Sequence, residues 1–345
     1  MLKEKWKEQG FIDEPYEEQK DLKTAIRQLC KEKEAVILAH YYTTGDIQEV
    51  ADFIGDSLAL ARKAAETKAK IIVMCGVHFM AETCKLLSPE KLVLCPDLNA
   101  GCSLADSCKA EDLRKFKEEH PGYEVVSYVN TTAAVKALTD VVVTSGNAKK
   151  VIDSFPQDAK IIFGPDYNLG SYINAVTGRQ MLLWQGGCHV HERFSVEAIL
   201  KLKKEYPNAV VMAHLECKGP VLALADVKGS TADMLKYAQQ NGARQYIVAT
   251  EAGILHELQR TCPDCEFIPV PPEIPVGETT GTAVVPAAFP VGSPSSCHCN
   301  ECQYMKMNTL LKIYNALRYE WPSVEVDAAI AKDAVKPIER MLELS

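Results

Sequence analysis

The sequence predicts an α/β protein built from three similar three-layer α/β/α units with parallel sheets, set around a pseudo-threefold axis. Two observations support this fold class. Short apolar runs alternate with segments of helical periodicity along most of the 345 residues, and such alternation is typical of parallel sheets that are flanked by helices. The same order of runs then recurs twice, and each copy ends in a cysteine.

The first copy shows the alternation most clearly. Its predicted elements, in order, are a helix at 17–33, a strand at 35–39, a helix at 47–67, a strand at 71–74, a helix at 79–87 and a strand at 91–94. Polar residues follow the strands, and His40, Tyr41 and Tyr42 come directly after the first one. Three strands are therefore predicted for this copy.

Two further copies repeat this order. Strands are predicted at 124–128, 140–144 and 160–163 in the second copy and at 209–213, 245–249 and 266–269 in the third. The spacing from the first polar residue to the terminal cysteine is 62 from His40 to Cys102, 58 from Asn130 to Cys188 and 88 from His214 to Cys302. The third spacing is longer because of an insert at 269–296 with seven prolines and three glycines, for which we predict an irregular path.

These spacings divide the chain into five predicted segments. They are an N-terminal segment at 1–24, three α/β units at 25–103, 104–190 and 191–303, and C-terminal helices at 304–345. The third unit contains the Pro-rich insert 269–296. The C-terminal segment begins with an amphipathic helix that Pro322 ends, and a last helix is predicted over 326–344.

Composition limits the partners and the location. The chain has 38 Lys and Arg against 46 Asp and Glu, a net charge of -8, and no long basic run, so nucleic acid is not an expected partner. No apolar run approaches the roughly 20 residues that a membrane span needs, and the opening residues lack an apolar signal core. We therefore expect a cytoplasmic protein with no membrane partner, whose 13 cysteines are reduced core residues, metal ligands or redox groups.

The strand ends mark the predicted site. In doubly wound sheets ligands bind outside the carboxyl ends of the parallel strands, so three units around one axis would aim their strand ends at one point. The side chains delivered there are His40, Tyr42, Tyr128, Asn130, Ser145, His214, Glu216, Thr231 and one cysteine from each unit. Two glycine-hydroxyl turns, at 55–57 and 229–231, contain Ser57 and Thr231 and indicate anion binding.

The three converging cysteines indicate a class of cofactor. Thiolates from loops far apart in sequence suit an iron-sulfur cluster, because a cubane can take three protein ligands and leave its fourth iron open. An open iron is a Lewis acid that binds and polarises oxygen. The sequence therefore favours an enzyme with a metal cluster at the centre of the three units.

The cysteines leave other interpretations open. Cys299 and Cys302 are spaced for a local zinc chelate, and Cys262 with Cys265 would complete a four-thiolate zinc ribbon with them. Either zinc site would fit a zinc-stabilised binding module rather than an enzyme. A second enzymatic interpretation is a different hydro-lyase that uses an open iron on a small carboxylate substrate.

Several motifs are similar to those of one known family. They are ILAHYY at 37–42, ADFIGDS at 51–57, FMAE at 79–82, YVN at 128–130, FGPDYNLG at 163–170, GCHVH at 187–191, HLEC at 214–217, GST at 229–231, TE at 250–251 and MKMN at 305–308. From about Ala35 to the C-terminus, the chain resembles quinolinate synthase. One departure is the spacing Cys297-x-Cys299-x-x-Cys302, where longer members of the family have C-x-x-C-x-x-C.

The resemblance implies a reaction, a cofactor and a partner. The reaction is the condensation of iminoaspartate with dihydroxyacetone phosphate to quinolinate, with loss of phosphate and two waters, in the pathway to NAD. The cofactor is a 4Fe-4S cluster at the meeting point of the three units, with three cysteine ligands and one open iron. The enzyme that supplies iminoaspartate is a candidate partner.

The resemblance also implies roles for individual residues. The cluster ligands would be Cys102, Cys188 and Cys302. The catalytic acid-base groups would be Tyr42 and Glu216. The substrate would be bound by His40, Ser57, Tyr128, Asn130, Ser145, His214 and Thr231, of which Tyr128 shapes the pocket and the others hold carboxylate and phosphate groups.

Overall fold

The computed structural model describes residues 3–17, 21–272 and 300–345. Within these ranges the chain forms three four-stranded sheets, and every strand pair is parallel. The prediction of an α/β fold with three similar parallel sheets is confirmed. The five predicted segment boundaries stay a prediction, although each sheet lies inside one of the predicted units.

Each sheet is built from one continuous part of the chain. Its strands are β1 (Ala35–His40), β2 (Phe53–Gly55), β3 (Ile71–Cys75) and β4 (Leu92–Leu94) in the first sheet, β5 (Glu124–Tyr128), β6 (Val141–Val143), β7 (Ile161–Gly164) and β8 (Leu182–Leu183) in the second, and β9 (Val210–His214), β10 (Val227–Gly229), β11 (Gln245–Ala249) and β12 (Glu266–Pro269) in the third. The order across each sheet is second, first, third, fourth. The strands are nearly continuous apolar runs because helices cover both faces of such a sheet.

Helices precede, connect and follow the strands. They are α1 (Glu4–Gln9), α2 (Leu22–Glu32), α3 (Gly45–Val50), α4 (Ser57–Glu66), α5 (His78–Leu87), α6 (Ser103–Ser107), α7 (Ala110–Glu119), α8 (Ala133–Lys136), α9 (Ala148–Asp153), α10 (Tyr167–Thr177), α11 (Val196–Glu205), α12 (Gly219–Leu224), α13 (Thr231–Asn241), α14 (Ile254–Thr261), α15 (Gln303–Lys306), α16 (Leu310–Tyr319) and α17 (Ala328–Leu344), with a short 3₁₀ helix at His191–Arg193. Asp56 and Ser230 cap α4 and α13 by accepting a main-chain N–H of the first turn.

The three sheets share an aspartate at the start of the second strand. Its side chain accepts the main-chain N–H of the residue 15 positions earlier in the first strand, from Ile37 to Asp52 at 2.8 Å, from Val125 to Asp140 at 2.7 Å and from Val211 to Asp226 at 2.9 Å. The bond fixes the second strand beside the first. This recurrence supports a true structural repeat.

The structure corrects the predicted strand count, because each sheet has four strands rather than three. The helix predicted over 47–67 is wrong: it is interrupted by β2, because Asp52 bonds to the first strand and Asp56 starts a new helix. In the second unit the predicted strand at 140–144 is the edge strand β6, equivalent to β2 and β10. The fourth strand there, β8, has only two residues and no sequence signal of its own.

The C-terminal helices complete the outer layers of two units. Helix α16 packs against α2 beside the first sheet, and α17 packs against α8 and β6 beside the second. The Pro-rich insert lies outside the described residues from 273 to 296, as do Cys297 and Cys299. Among the helices that the structure describes, none combines the length and the apolar character needed to cross a bilayer.

Candidate active site

The carboxyl-terminal ends of all three sheets open onto one cavity. All twelve residues singled out from the sequence line it. They are His40, Tyr42, Ser57, Cys102, Tyr128, Asn130, Ser145, Cys188, His214, Glu216, Thr231 and Cys302. The parallel topology brings them together, since strands of one sheet end at the same edge.

Cys102, Cys188 and Cys302 contribute one thiol from each unit. Each is followed by a short helical turn, and main-chain N–H groups of that turn approach the sulfur and lower the pKa of the thiol. Burial has the larger, opposite effect, and raises the pKa of Cys102 to about 12, of Cys302 to about 11 and of Cys188 well above its ordinary value. Without a metal cation, these thiols are therefore neutral.

The other eight cysteines that the structure describes do not line the cavity. Cys265 Sγ donates to Ala243 O before β11 begins, whereas Cys302 N donates to Glu251 Oε1 just after β11 ends. The five residues of this strand separate the two ends by about 16 Å. Cys265 and Cys302 therefore cannot bind the same zinc ion, which argues against the four-thiolate ribbon.

His40 and His214 end the first strands of two sheets with the same local geometry. Nδ1 of His40 accepts the N–H of Tyr42 at 3.1 Å, and Nδ1 of His214 accepts the N–H of Glu216 at 3.3 Å. Because Nδ1 is an acceptor, the hydrogen of the neutral ring is on Nε2. Burial lowers the pKa of His40 to about 3 and of His214 to about 4, so both are neutral N–H donors at pH 7.

Glu216 is one of three carboxyl residues that line the cavity, with Asp56 and Glu251. Its Oε1 accepts the phenol hydrogen of Tyr128 at 2.5 Å, and its Oε2 lies 3.1 Å from His191 Nδ1. Burial alone would raise the pKa of Glu216, but the nearby His191 and His214 and the hydrogen bonds from His191 and Tyr128 hold it below its ordinary value. Glu216 is therefore an ionised base in a site shielded from water.

A hydrogen-bonded chain joins Glu216 to Tyr42. His191 Nε2 lies 2.9 Å from Thr250 Oγ1, which lies 2.8 Å from the Tyr42 hydroxyl. Since the carboxylate of Glu216 only accepts, His191 donates from Nδ1, Thr250 donates to His191 Nε2, and Tyr42 donates to Thr250. Burial raises the pKa of Tyr42 well above its ordinary value, so Tyr42 is a protonated phenol at the far end of the chain from Glu216.

His191 and Thr250 were not predicted as site residues. Their sequence signals were their places in the GCHVH and TE motifs. The described residues contain one group with metal-ligand character that includes His191: ligand atoms of Cys188, His191 and Glu216 lie within 4.8 Å of one another. The chain therefore offers one sulfur, one nitrogen and one oxygen ligand on one side of the cavity.

One hydroxyl residue follows the second strand of each sheet. Ser57 and Thr231 are the first residues of α4 and α13, and Ser145 follows β6 and lies 3.3 Å from His214 Nε2. The N-terminus of a helix carries free N–H groups and a partial positive charge, which favours anions. The side of the cavity formed by these residues is therefore suited to carboxylate or phosphate groups.

Buried Glu251 and partly exposed Lys306 form an ion pair beside Cys302, and neither was predicted as a site residue. Glu251 Oε1 accepts Lys306 Nζ at 2.8 Å and Cys302 N at 2.9 Å. Lys306 also donates to Tyr42 O at 2.7 Å. Gly253 packs so closely against the main chain of Tyr42 that a Cβ at this position would lie only 2.8 Å from it. The ion pair thus ties the segment that carries Cys302 to the first and third units.

Comparison with known proteins places the chain in a family. Residues 24–343 match the family described as quinolinate synthetase A protein. Curated proteins described as quinolinate synthase are similar over nearly the whole chain: one from Rippkaea orientalis is 50% identical over 325 residues, 94% of each chain. Another, from Thermosynechococcus vestitus, is 50% identical over 94% of this chain and 96% of its own, and one from Synechocystis sp. is 48% identical over the same shares. The chain therefore belongs to the quinolinate synthetase A protein family, a family of enzymes.

Proposed function

We propose that this enzyme condenses iminoaspartate with dihydroxyacetone phosphate to form quinolinate, with loss of phosphate and two waters. The observation that supports it most is the combination of groups in one cavity: a cysteine from each unit, a carboxylate, two tyrosine hydroxyls and a set of neutral donors for anions. Membership of the family, and the name of the relatives, support the same reaction. Both substrates are small and carry negative charge.

Cys102, Cys188 and Cys302 would hold a 4Fe-4S cluster through their three thiolates. The chemistry of these thiols fits this group, since main-chain N–H groups approach each sulfur and such bonds stabilise cluster-bound thiolates. Binding of the cluster would displace the protons of the three thiols, which burial otherwise keeps on the sulfur atoms. When bound, the cluster supplies an iron with an open position, a Lewis acid for a substrate oxygen.

The substrate would be held by His40, Ser57, Asn130, Ser145, His214 and Thr231. His40 and His214 donate from Nε2 without adding a formal charge, and Ser57 and Thr231 stand at helix N-termini. These groups bind carboxylate and phosphate oxygens by directed hydrogen bonds. The net charge of -8 does not oppose such binding, because local donors decide it.

Glu216 and Tyr42 would move protons during the reaction. Glu216 is ionised and can take a proton from the substrate, and Tyr42 is protonated and can give one. Thr250 and His191 connect the two residues by hydrogen bonds, which couple the protonation of Glu216 to that of Tyr42. Carbon-carbon bond formation, tautomerisation, ring closure and dehydration all require such transfers. Tyr128 would hold Glu216 in position and shape the pocket.

The test is an assay of protein that is purified without oxygen. We expect quinolinate from iminoaspartate and dihydroxyacetone phosphate, together with iron and sulfide in equal amounts. An intact cluster without quinolinate would favour a different hydro-lyase that acts on a small carboxylate. About one zinc per chain, without iron or sulfide, would overturn the cluster and favour a zinc-stabilised binding module.

We also propose a cytoplasmic location and a contact with the enzyme that supplies iminoaspartate. Imines hydrolyse readily in water, so direct transfer between the two enzymes would protect the substrate. The contact is tested by adding an inactive variant of this chain to a coupled assay. If the variant competes for the supplying enzyme, the yield of quinolinate falls, and an unchanged yield contradicts the contact.

A further inference from the structure

Lys136 is a fully buried lysine behind the wall of the cavity. It ends the one-turn helix α8, and its side chain is 0% exposed. Its ammonium group donates to Val129 O at 2.9 Å and to Thr131 O. The main chain between these two carbonyls belongs to Asn130, whose side chain lines the cavity. Lys136 therefore holds the turn that presents Asn130 from both sides.

The remaining face of the ammonium group points toward the cavity wall. Lys136 Nζ lies 5.4 Å from the centre of the Phe79 ring, and Phe79 lines the cavity. A cation over an aromatic face is stabilised by the ring, although less than by a carboxylate. The Phe79 ring therefore faces both this positive charge and the cavity.

The charge of Lys136 lacks a close carboxylate partner among the described residues. The nearby carboxylate of Glu82 is engaged elsewhere, since it accepts the N–H of Ala133 at 2.9 Å and lies 4.0 Å from His78. A buried ammonium group with only neutral partners is costly, and an apolar residue would avoid that cost. A group of opposite charge that arrives with the substrate would offset it.

We propose that Lys136 is a positioning residue for the anionic substrate: it fixes the turn that carries Asn130, and its buried charge favours a substrate carboxylate or phosphate on the other side of Phe79. This role rests on the proposed function, because it requires an anionic substrate in the cavity. Burial lowers the pKa of Lys136 to about 8, while Glu82 and the sulfur of Cys102 oppose this shift. The group is therefore still mainly charged at pH 7.

The experiment compares Lys136→Met with Lys91→Met in the cluster-loaded enzyme. Lys91 is a matched control, because its ammonium group also donates to a main-chain carbonyl, Thr67 O at 2.6 Å, but it lies at the amino end of the first sheet, away from the cavity. The dissociation constant of quinolinate is measured by calorimetry, and the two KM values and kcat by the assay. Thermal unfolding and iron content are recorded for each variant.

We expect Lys136→Met to weaken quinolinate binding about tenfold or more, the usual worth of a charge-assisted interaction, and to raise KM more than it lowers kcat. Lys91→Met should lower only the melting temperature. An unchanged dissociation constant in Lys136→Met, or an equal loss in Lys91→Met, would overturn the role. If Lys136→Met does not fold, Lys136→Gln, which keeps an N–H donor without the charge, takes its place under the same criteria.

A double variant tests whether Lys136 acts through Asn130. In the Asn130→Ala background, Lys136→Met should cause a smaller further loss of quinolinate binding than it causes alone. Fully additive losses would overturn the positioning role. The wild-type enzyme distinguishes failure of the proposed function from failure of the role of Lys136. If the wild type makes no quinolinate, the proposed function fails. An active wild type with a fully active Lys136→Met variant overturns the role of Lys136 alone.

Discussion

His191 Nδ1 lies 3.1 Å from Glu216 Oε2, and both side chains are buried. The two residues belong to different parts of the chain, since His191 follows the cysteine of the second unit and Glu216 follows the first strand of the third sheet. The same imidazole also faces Thr250 through Nε2 and stacks on His214, with ring centres 4.8 Å apart. His191 therefore joins the carboxylate of Glu216, through Thr250, to the Tyr42 hydroxyl.

Replacing His191 by alanine should break this connection. We expect kcat to fall about 10²-fold or more, the range for loss of an acid-base step, because the hydrogen-bonded coupling between Glu216 and Tyr42 is lost. Quinolinate formation is measured at equal iron content. The control is His120→Ala, since His120 bonds to Phe116 O and does not line the cavity. A wild-type kcat in His191→Ala would contradict this coupling.

Cysteine variants should show which thiols hold the cluster. Cys302→Ala should lose the iron-sulfur absorption, and so should Cys102→Ala and Cys188→Ala, because each removes one of the three thiolates. Cys265→Ala should keep it, because Cys265 lies at the opposite end of β11. From the sequence we also expect Cys297→Ala to keep the cluster. Equal loss of iron in Cys302→Ala and Cys297→Ala would instead favour a local chelate.

The hydroxyl of Thr231 should contribute to substrate binding at the N-terminus of α13. Thr231→Ala is expected to raise a KM about two- to tenfold, which corresponds to one lost hydrogen bond, with little change in kcat. Ser195→Ala is the matched control, because Ser195 caps α11 outside the cavity. This control should lower the free energy of unfolding by about 1 kcal/mol and leave both KM values unchanged. Unchanged KM values in Thr231→Ala would argue against an anion at this helix.

The ion pair between Glu251 and Lys306 should control how firmly Cys302 is held. Glu251→Gln removes the carboxylate partner of Lys306 and weakens the acceptor of the Cys302 N–H, so we expect faster release of iron to a chelator. The free energy of unfolding should fall by about 1–3 kcal/mol, because Lys306 is partly exposed and keeps its bond to Tyr42 O. The control is Glu257→Gln. It neutralises a buried carboxylate that pairs with Arg260 outside the cavity. Equal iron release in both variants would show that general destabilisation is the cause.

The buried histidines predict how the stability of the metal-free protein depends on pH. The folded pKa of His214, about 4, lies below the ordinary value of 6.5, so between these values the unfolded state binds more protons. The stability contribution of neutral His214 is therefore complete above pH 6.5 and is lost as pH falls toward 4. His40, with a pKa of about 3, has the same sign.

Chemical unfolding at pH 7 and at pH 5 measures this effect. The wild type should lose more stability between the two pH values than His214→Asn, in which the amide oxygen replaces the Nδ1 acceptor but does not titrate. Buried acids with raised pKa values, such as Asp166, act with the opposite sign. We therefore compare the loss of stability between the two proteins, rather than interpret the pH dependence of one protein by itself. Equal losses in the two proteins would mean that the pKa of His214 in the folded protein is not lowered.

Much of the fold was predictable because parallel strands that are buried on both faces are nearly continuous apolar runs. The strands β1, β5 and β11 begin at the predicted residues and end at them or one residue later. The short edge strands β2 and β10 were not predicted. They have three residues each and depend on pairing with the first strand, which the side chains of Asp52 and Asp226 stabilise.

The sequence by itself determined the three-fold repeat, the parallel sheets and the strand-end residues, because periodicity and the polar residue that ends each strand are local properties. The tertiary structure decided which of these groups touch. Tyr128 and Glu216 are 88 residues apart, and Lys306 reaches the carbonyl of Tyr42 across 264. Such contacts, and the burial that sets the protonation of Glu216 and Tyr42, arise only when the three units pack around one cavity. For this reason the roles of His191, Thr250, Glu251 and Lys136 became evident only in the folded chain.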